Sequence, residues 1–156
     1  MLDETSDDGL TRRELFMTSI AGFATVTLVS SANASEDADD MRALIKRLTG
    51  KTPTESDRLR LEMPRTFPNG YTVPLDLAID SPMTENDHVR YIGVVAPRNP
   101  LIEVATFHFA PKRSQPRVST RIRLAVPQYV LAFAELNDGM LLMTKTWVEV
   151  ATNGCT

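Results

Sequence analysis

One cysteine, two histidines and a few paired charges are the side chains here that could carry chemistry. Cys155 is next to last in TWVEVATNGCT, beyond the final stretch that reads as regular structure. It has neither the apolar neighbours of a core cysteine nor a partner for a disulfide, so it is either incidental or a reactive thiol on a tether. With a strand ending near Val150, residues 151–155 would reach about 16–18 Å at roughly 3.3–3.6 Å per residue. Gly154 loosens the backbone beside the thiol. Such a thiol could enter other proteins' active sites while its domain stays outside.

The other candidates are weaker. His88 and His108, without a second cysteine or a carboxylate pattern beside them, make a poor metal site, and no metal or other cofactor is expected. Ala105, Phe107 and Phe109 share one face of VATFHF, which leaves His108 exposed on the other. Met140 and Met143 suit an apolar gap or interface better than copper. Asp76 and Asp80 lie at even spacing on one strand and read as solvated carboxylates. Arg121 and Arg123 share a face of STRIRLA, either as plain surface or as a dock for a partner's carboxylates. There is no Gly-rich phosphate loop and no G-x-S-x-G elbow, so a hydrolase is not expected.

These residues sit on a chain whose hydrophobic period changes. SEDADDMRALIKRLTG predicts a short helix, with acids at its start, Met41, Leu44, Ile45 and Leu48 at helical spacing, and Gly50 after basic Lys46 and Arg47. KTPTESDR reads as a linker. LRLEM, YTVPLDLAI, HVRYIGVV, LIEVATFHF, RVSTRIRLA, QYVLAFAEL and LLMTKTWVEV are then β-rich runs separated by PNG, DSPMTEND, PRNP, PKRSQP and NDG turns. Seven strands without alternating helices predict an all-β fold, an antiparallel β-sandwich of immunoglobulin-like type with a short N-terminal helix.

TRRELFMTSIAGFATVTLVSSANA reads as an export signal over residues 1–34. Arg12 and Arg13 precede an uncharged run, and Ala32-Asn33-Ala34 offers a small-residue cleavage site after Ala34. The Thr- and Ser-containing run is too weakly apolar for a membrane span. The arginine pair resembles the bacterial twin-arginine signal, although the leader before it is acidic. The predicted organisation is export signal 1–34, helix and linker 35–58, sandwich 59–150 and arm 151–156. Cleavage would remove two of the 17 basic and five of the 20 acidic residues, leaving 15 of each. Balanced charge gives no reason to expect nucleic acid or an anionic membrane as partner.

NGYTVPLDLAIDSPMTENDHVRYIGVVAPRNP, VATFHFAP, STRIRLAVPQYVLAFAELNDG and WVEVATNGC together resemble the SoxY family, the sulfur-carrier subunit of the bacterial Sox thiosulfate-oxidation system. The resemblance covers essentially the whole chain. It implies an immunoglobulin-like sandwich paired in the periplasm with a second sandwich, SoxZ, and a non-enzymatic role. The family carries its cysteine in a terminal Gly-Gly-Cys-Gly-Gly arm. Thiosulfate is joined to that sulfur oxidatively by a haem enzyme, the sulfone is hydrolysed by a dimanganese enzyme, and the remaining sulfur is oxidised further. Cys155 matches the carrier cysteine and Gly154 the glycine before it.

The arm departs from the family pattern. Asn153 replaces the first glycine, and Thr156 stands where two glycines would follow. A terminal carboxylate about 6 Å from the thiol would cost an anionic adduct only roughly 0.7 kcal/mol in water. A diverged non-catalytic binding or assembly module, which keeps a SoxZ-like partner but not the carrier chemistry, is the alternative.

Overall fold

A computed structural model describes residues 30–151. In chain order they form α1 (Ser30–Thr49), β1 (Thr54–Glu55), β2 (Leu59–Glu62), β3 (Thr66–Phe67), β4 (Val73–Ile79), β5 (Val89–Val95), β6 (Glu103–His108), β7 (Arg117–Ile122), β8 (Gln128–Leu136) and β9 (Leu141–Val150). The seven longer strands are the seven that alternation marks in the sequence. They form two facing sheets, the larger in the order β1-β9-β8-β5-β6 with β3 also on β9, the smaller β2-β4-β7. This is an all-β architecture with one helix, consistent with an immunoglobulin-like sandwich.

Burial follows the strand pattern. On β4, Val73, Leu75, Leu77 and Ile79 point into the core while Asp76 faces solvent. β8 is a near-continuous apolar run because both of its faces are covered. Val130, Ala132, Ala134 and Leu136 join the core between the sheets, and Leu131 and Phe133 pack under α1. The helix contributes Met41, Leu44 and Ile45 to that outer layer, with Leu48 at its margin. Each side chain so covered contributes about 1.5–3 kcal/mol. Gly93 makes room for the layer, since a Cβ there would lie 2.2 Å from the Phe133 ring.

The helix differs from expectation at its start. It begins at Ser30 rather than Ser35, because SSANASEDADD contains no glycine or proline to break it. Ala34 therefore lies on helix backbone, and the acidic residues fall beyond the first turn. Cleavage after Ala34 would leave a helix over 35–49 with acids in its first turn again. At the other end Gly50 takes a φ of 74° and its N–H donates to Lys46 O at 2.8 Å, a left-handed cap.

The sandwich is not antiparallel throughout, and the segment read as a linker holds a strand. β1 and β3 both pair with β9 in parallel, Thr54 opposite Leu142 and Phe67 opposite Val150. Between them the chain crosses to the smaller sheet as β2. Two-residue strands have no period to read; the edge of β9 forms them. Their crossing stitches one side of the sandwich shut. Thr146 Oγ1 donates to Leu61 O at 3.2 Å, and Ser56 N and Glu149 N donate to Met143 O and Arg65 O. On the opposite side β6 pairs only with β5 and β7 only with β4, so the sheets stay apart. Among the described residues no helix is long and apolar enough to cross a membrane.

Candidate functional site

β9 carries the chain along the closed side to an end where it meets a groove. Val150 is buried, Ala151 is exposed, and the Ala151 N–H donates to Phe67 O at 3.3 Å. Ala151 lines one end of a groove of about 1250 Å³ that runs between β6 and β7. Asn153, Gly154, Cys155 and Thr156 lie outside the described residues, as do Arg12 and Arg13.

The groove mixes apolar side chains with charges of both signs. Val104, Phe107, Ile122 and Leu124 line it together with the charged Glu103, Arg121 and Arg123. The two arginines were expected on one strand face. β7 ends at Ile122, so Arg123 lies just past it, yet both reach the same groove. The Arg123 guanidinium sits 4.8 Å from the centre of the Tyr71 ring, a cation–π contact. No carboxylate pairs with either arginine among the described residues.

A polar clamp that sequence reading missed holds this end in place. Gln128 is 1% exposed, in an apolar layer where an unmet amide would be costly. Its Nε2 donates to Asn99 Oδ1 at 2.9 Å and its Oε1 accepts from Arg98 N at 2.7 Å. Asn99 in turn donates to Arg123 O and accepts from Ala125 N. Leu124 N donates to Gly70 O at 2.8 Å, and a Cβ on Gly70 would lie 1.9 Å from Leu124 O, so only glycine fits. The motif PRNP reads as a turn from sequence; the asparagine within it sets the backbone that carries Arg123.

The remaining candidates do not gather. Among the described residues no three His, Cys, Asp or Glu side chains approach one another as metal ligands would. His88 Nδ1 lies 3.0 Å from Thr84 O, and His108 is exposed against the Tyr91 ring. Asp76 accepts from Ser119 Oγ, and Asp80 takes both terminal nitrogens of Arg60 at 2.9 and 3.2 Å. Met143 is buried under α1 while Met140 is exposed.

Glu135 is the other buried polar side chain among the described residues, in the apolar run LAFAEL. It accepts from Tyr91 Oη at 3.0 Å, pairs with Lys51 Nζ at 3.2 Å, and is met by Arg90. Burial pushes its carboxyl up, but the Tyr91 hydroxyl, Lys51 and Arg90 outweigh that, and its pKa falls below the ordinary value. Tyr91 shifts upward, from burial first and from the carboxylate second. Lys51 also donates to Gly139 O, so the cluster fastens the helix end to the β8–β9 turn. Its contacts tie β5, β8 and the helix end together.

Comparison with known proteins bears on the arm and the fold together. Residues 45–155 match the family model described as sulfur oxidation protein SoxY, a span that includes Cys155. The sulfur carrier protein SoxY from Chlorobium limicola f thiosulfatophilum is similar in structure, with 27% identity and a TM-score of 0.59 over 73% of this chain and 98% of that one. A superoxide reductase (neelaredoxin) from Ignicoccus hospitalis has 15% identity and a TM-score of 0.54, covering 60% of this chain and 80% of its own. A superoxide reductase from Nanoarchaeum equitans has 14% identity and a TM-score of 0.52, covering 62% and 98%. These two share the fold alone. No curated protein matches significantly.

Proposed function

The chain belongs to the SoxY sulfur-oxidation family, and from that premise we propose that it carries thiosulfate-derived sulfur covalently on Cys155. The observation that carries the reading is the family match running through residue 155 to the only cysteine in the sequence. Its support in the fold is Ala151, the last described residue, which is exposed.

The chemistry needs no active site on this chain. The Cys155 thiol and the outer sulfur of thiosulfate are joined by a new Sγ–S bond. The thiol proton is released, and two electrons pass to a haem acceptor in a partner enzyme. Water then attacks the terminal sulfonate sulfur, sulfate and protons leave, and a persulfide stays on Cys155. The protein presents the intermediate; partner enzymes perform each step. A free thiol with a pKa near 8.5 is a few per cent thiolate at neutral pH, which suits a carrier that must load and unload.

Export through the twin-arginine route would place this work in the periplasm, where a second sandwich subunit of SoxZ type would accompany it. Changing Arg12 and Arg13 to Lys should hold the precursor in the cytoplasm; undiminished periplasmic protein would reject that route. The carrier role is tested by reconstitution with Cys155→Ser. A serine hydroxyl cannot form the sulfur–sulfur bond, so thiosulfate oxidation should cease while melting temperature and partner binding stay unchanged. Activity equal to the parent would leave the binding or assembly role, which the Asn153 and Thr156 departures favour, as the function.

A further inference from the structure

The helix that opens the fold runs through the expected processing site. α1 is continuous from Ser30 to Thr49, so Ala32, Asn33 and Ala34 are wound, and the bond after Ala34 lies more than a turn inside the helix. A wound peptide bond cannot lie extended in a protease cleft, so cleavage there draws on an unwound fraction of the chain. The contacts that hold the helix begin further on. Met41 is the first described side chain to join the core, Leu44 and Ile45 follow, and Arg42 Nη2 donates to Glu55 Oε1 on β1 at 3.3 Å. Before them Asp37, Asp39 and Asp40 are exposed. Charge marks the same boundary. The first turn of α1 holds no acidic residue, while Glu36, Asp37, Asp39 and Asp40 lie inside the helix and gain nothing from its positive end. A helix restarted at Asp37 would have an aspartate as N-cap and two more in its first turn.

We propose that α1 has two starts, Ser30 and Asp37, and that processing after Ala34 proceeds from the shorter helix. The inference rests on the export reading for the site itself. A signal peptidase adds water across the Ala34–Ser35 bond, which leaves a carboxylate on Ala34 and an amino group on Ser35. Unwinding residues 30–36 breaks no core contact among the described side chains, so the sandwich stays folded while the bond is exposed. Helix–coil exchange takes on the order of a microsecond, far faster than proteolytic turnover, and the rate of cleavage then follows the population of the short helix. The cap at Asp37 therefore sets the rate, and the stability of the sandwich does not. After the cut, the shortened helix is the one the aspartates favour.

The test uses the full precursor and a purified bacterial signal peptidase, with the rate read from the shift in size and the site from N-terminal sequencing. The parent should be cut to a chain beginning at Ser35. Asp37→Ala lies beyond the Ala-x-Ala site and removes the inner cap, so it should slow cleavage about two- to thirtyfold. Ser31→Gly weakens the longer helix and should speed cleavage about twofold. Leu142→Ala, which loosens the sandwich core, should leave the rate unchanged. An Asp37→Ala precursor cut as fast as the parent would overturn the two-start helix while the export site stands. Faster cleavage of Leu142→Ala would overturn it as well, by tying the opening to unfolding of the sandwich. If the parent is not cut after Ala34 at all, the export site fails and the inference with it.

Discussion

The two long sides of this sandwich are built from the same kinds of strand and end up opposite in character. On the β2–β9 side the chain crosses between sheets three times between Glu55 and Val73, and the short parallel strands β1 and β3 fill the β9 edge. On the β6–β7 side no strand crosses, and a groove remains that mixes apolar side chains with charges of both signs. Closing an edge satisfies hydrogen bonds and excludes water. The difference teaches that the same kinds of strand can seal one side of a sandwich by hydrogen bonding and leave a groove along the other.

Mutations should separate the sides by size of effect. Leu142→Ala, beneath β1 on the closed side, should cost about 2–5 kcal/mol in urea unfolding. Val104→Ala on the groove floor should cost less than about 1 kcal/mol, because that side chain is only partly buried and deletion opens no sealed cavity. Equal losses at the two positions would show that the groove is packed as tightly as the seam.

Gly70→Ala comes next, at about 1–3 kcal/mol, since the obstacle is the Leu124 carbonyl of the backbone. A neutral result, read by the same unfolding curves, would mean that the 70–71 and 124–125 segments can separate. Such freedom would undo the clamp that positions Arg123.

Glu135 tests the helix side of the molecule. Its folded pKa lies below its unfolded one, so its stabilisation is present above the unfolded value and is lost as pH falls through the folded value. Glu135→Gln should cost about 1–2 kcal/mol at neutral pH. The gap between variant and parent should close as the solution is acidified below the ordinary carboxylate range. A gap that persists in acid would assign the loss to packing rather than charge.

Much of this layout could be read from residues alone. The seven long strands announce themselves as β-rich runs between turns, most plainly where they alternate as in VPLDLAI, and Met41, Leu44 and Ile45 mark the helix face that is buried. β1 and β3 could not be read, because Thr54–Glu55 and Thr66–Phe67 are too short to have a pattern and depend on β9 for their form. Arg121 and Arg123 were legible as a pair, but not the groove beneath them, which needs β6 and β7 brought together from distant sequence. Glu135 in LAFAEL and Gln128 before an apolar run were visible signals: a polar residue in a covered strand must have partners. Cys155 is legible only in sequence, by its solitude and by its family match.

The measurement that bears most directly on the account is peptide mass mapping of the protein isolated from cells oxidising thiosulfate. The fragment containing Cys155 should carry additional sulfur or sulfonate that a thiol reductant removes, and every other fragment should have its plain sequence mass. An unmodified Cys155 fragment throughout turnover, with thiosulfate being consumed, would contradict the carrier function.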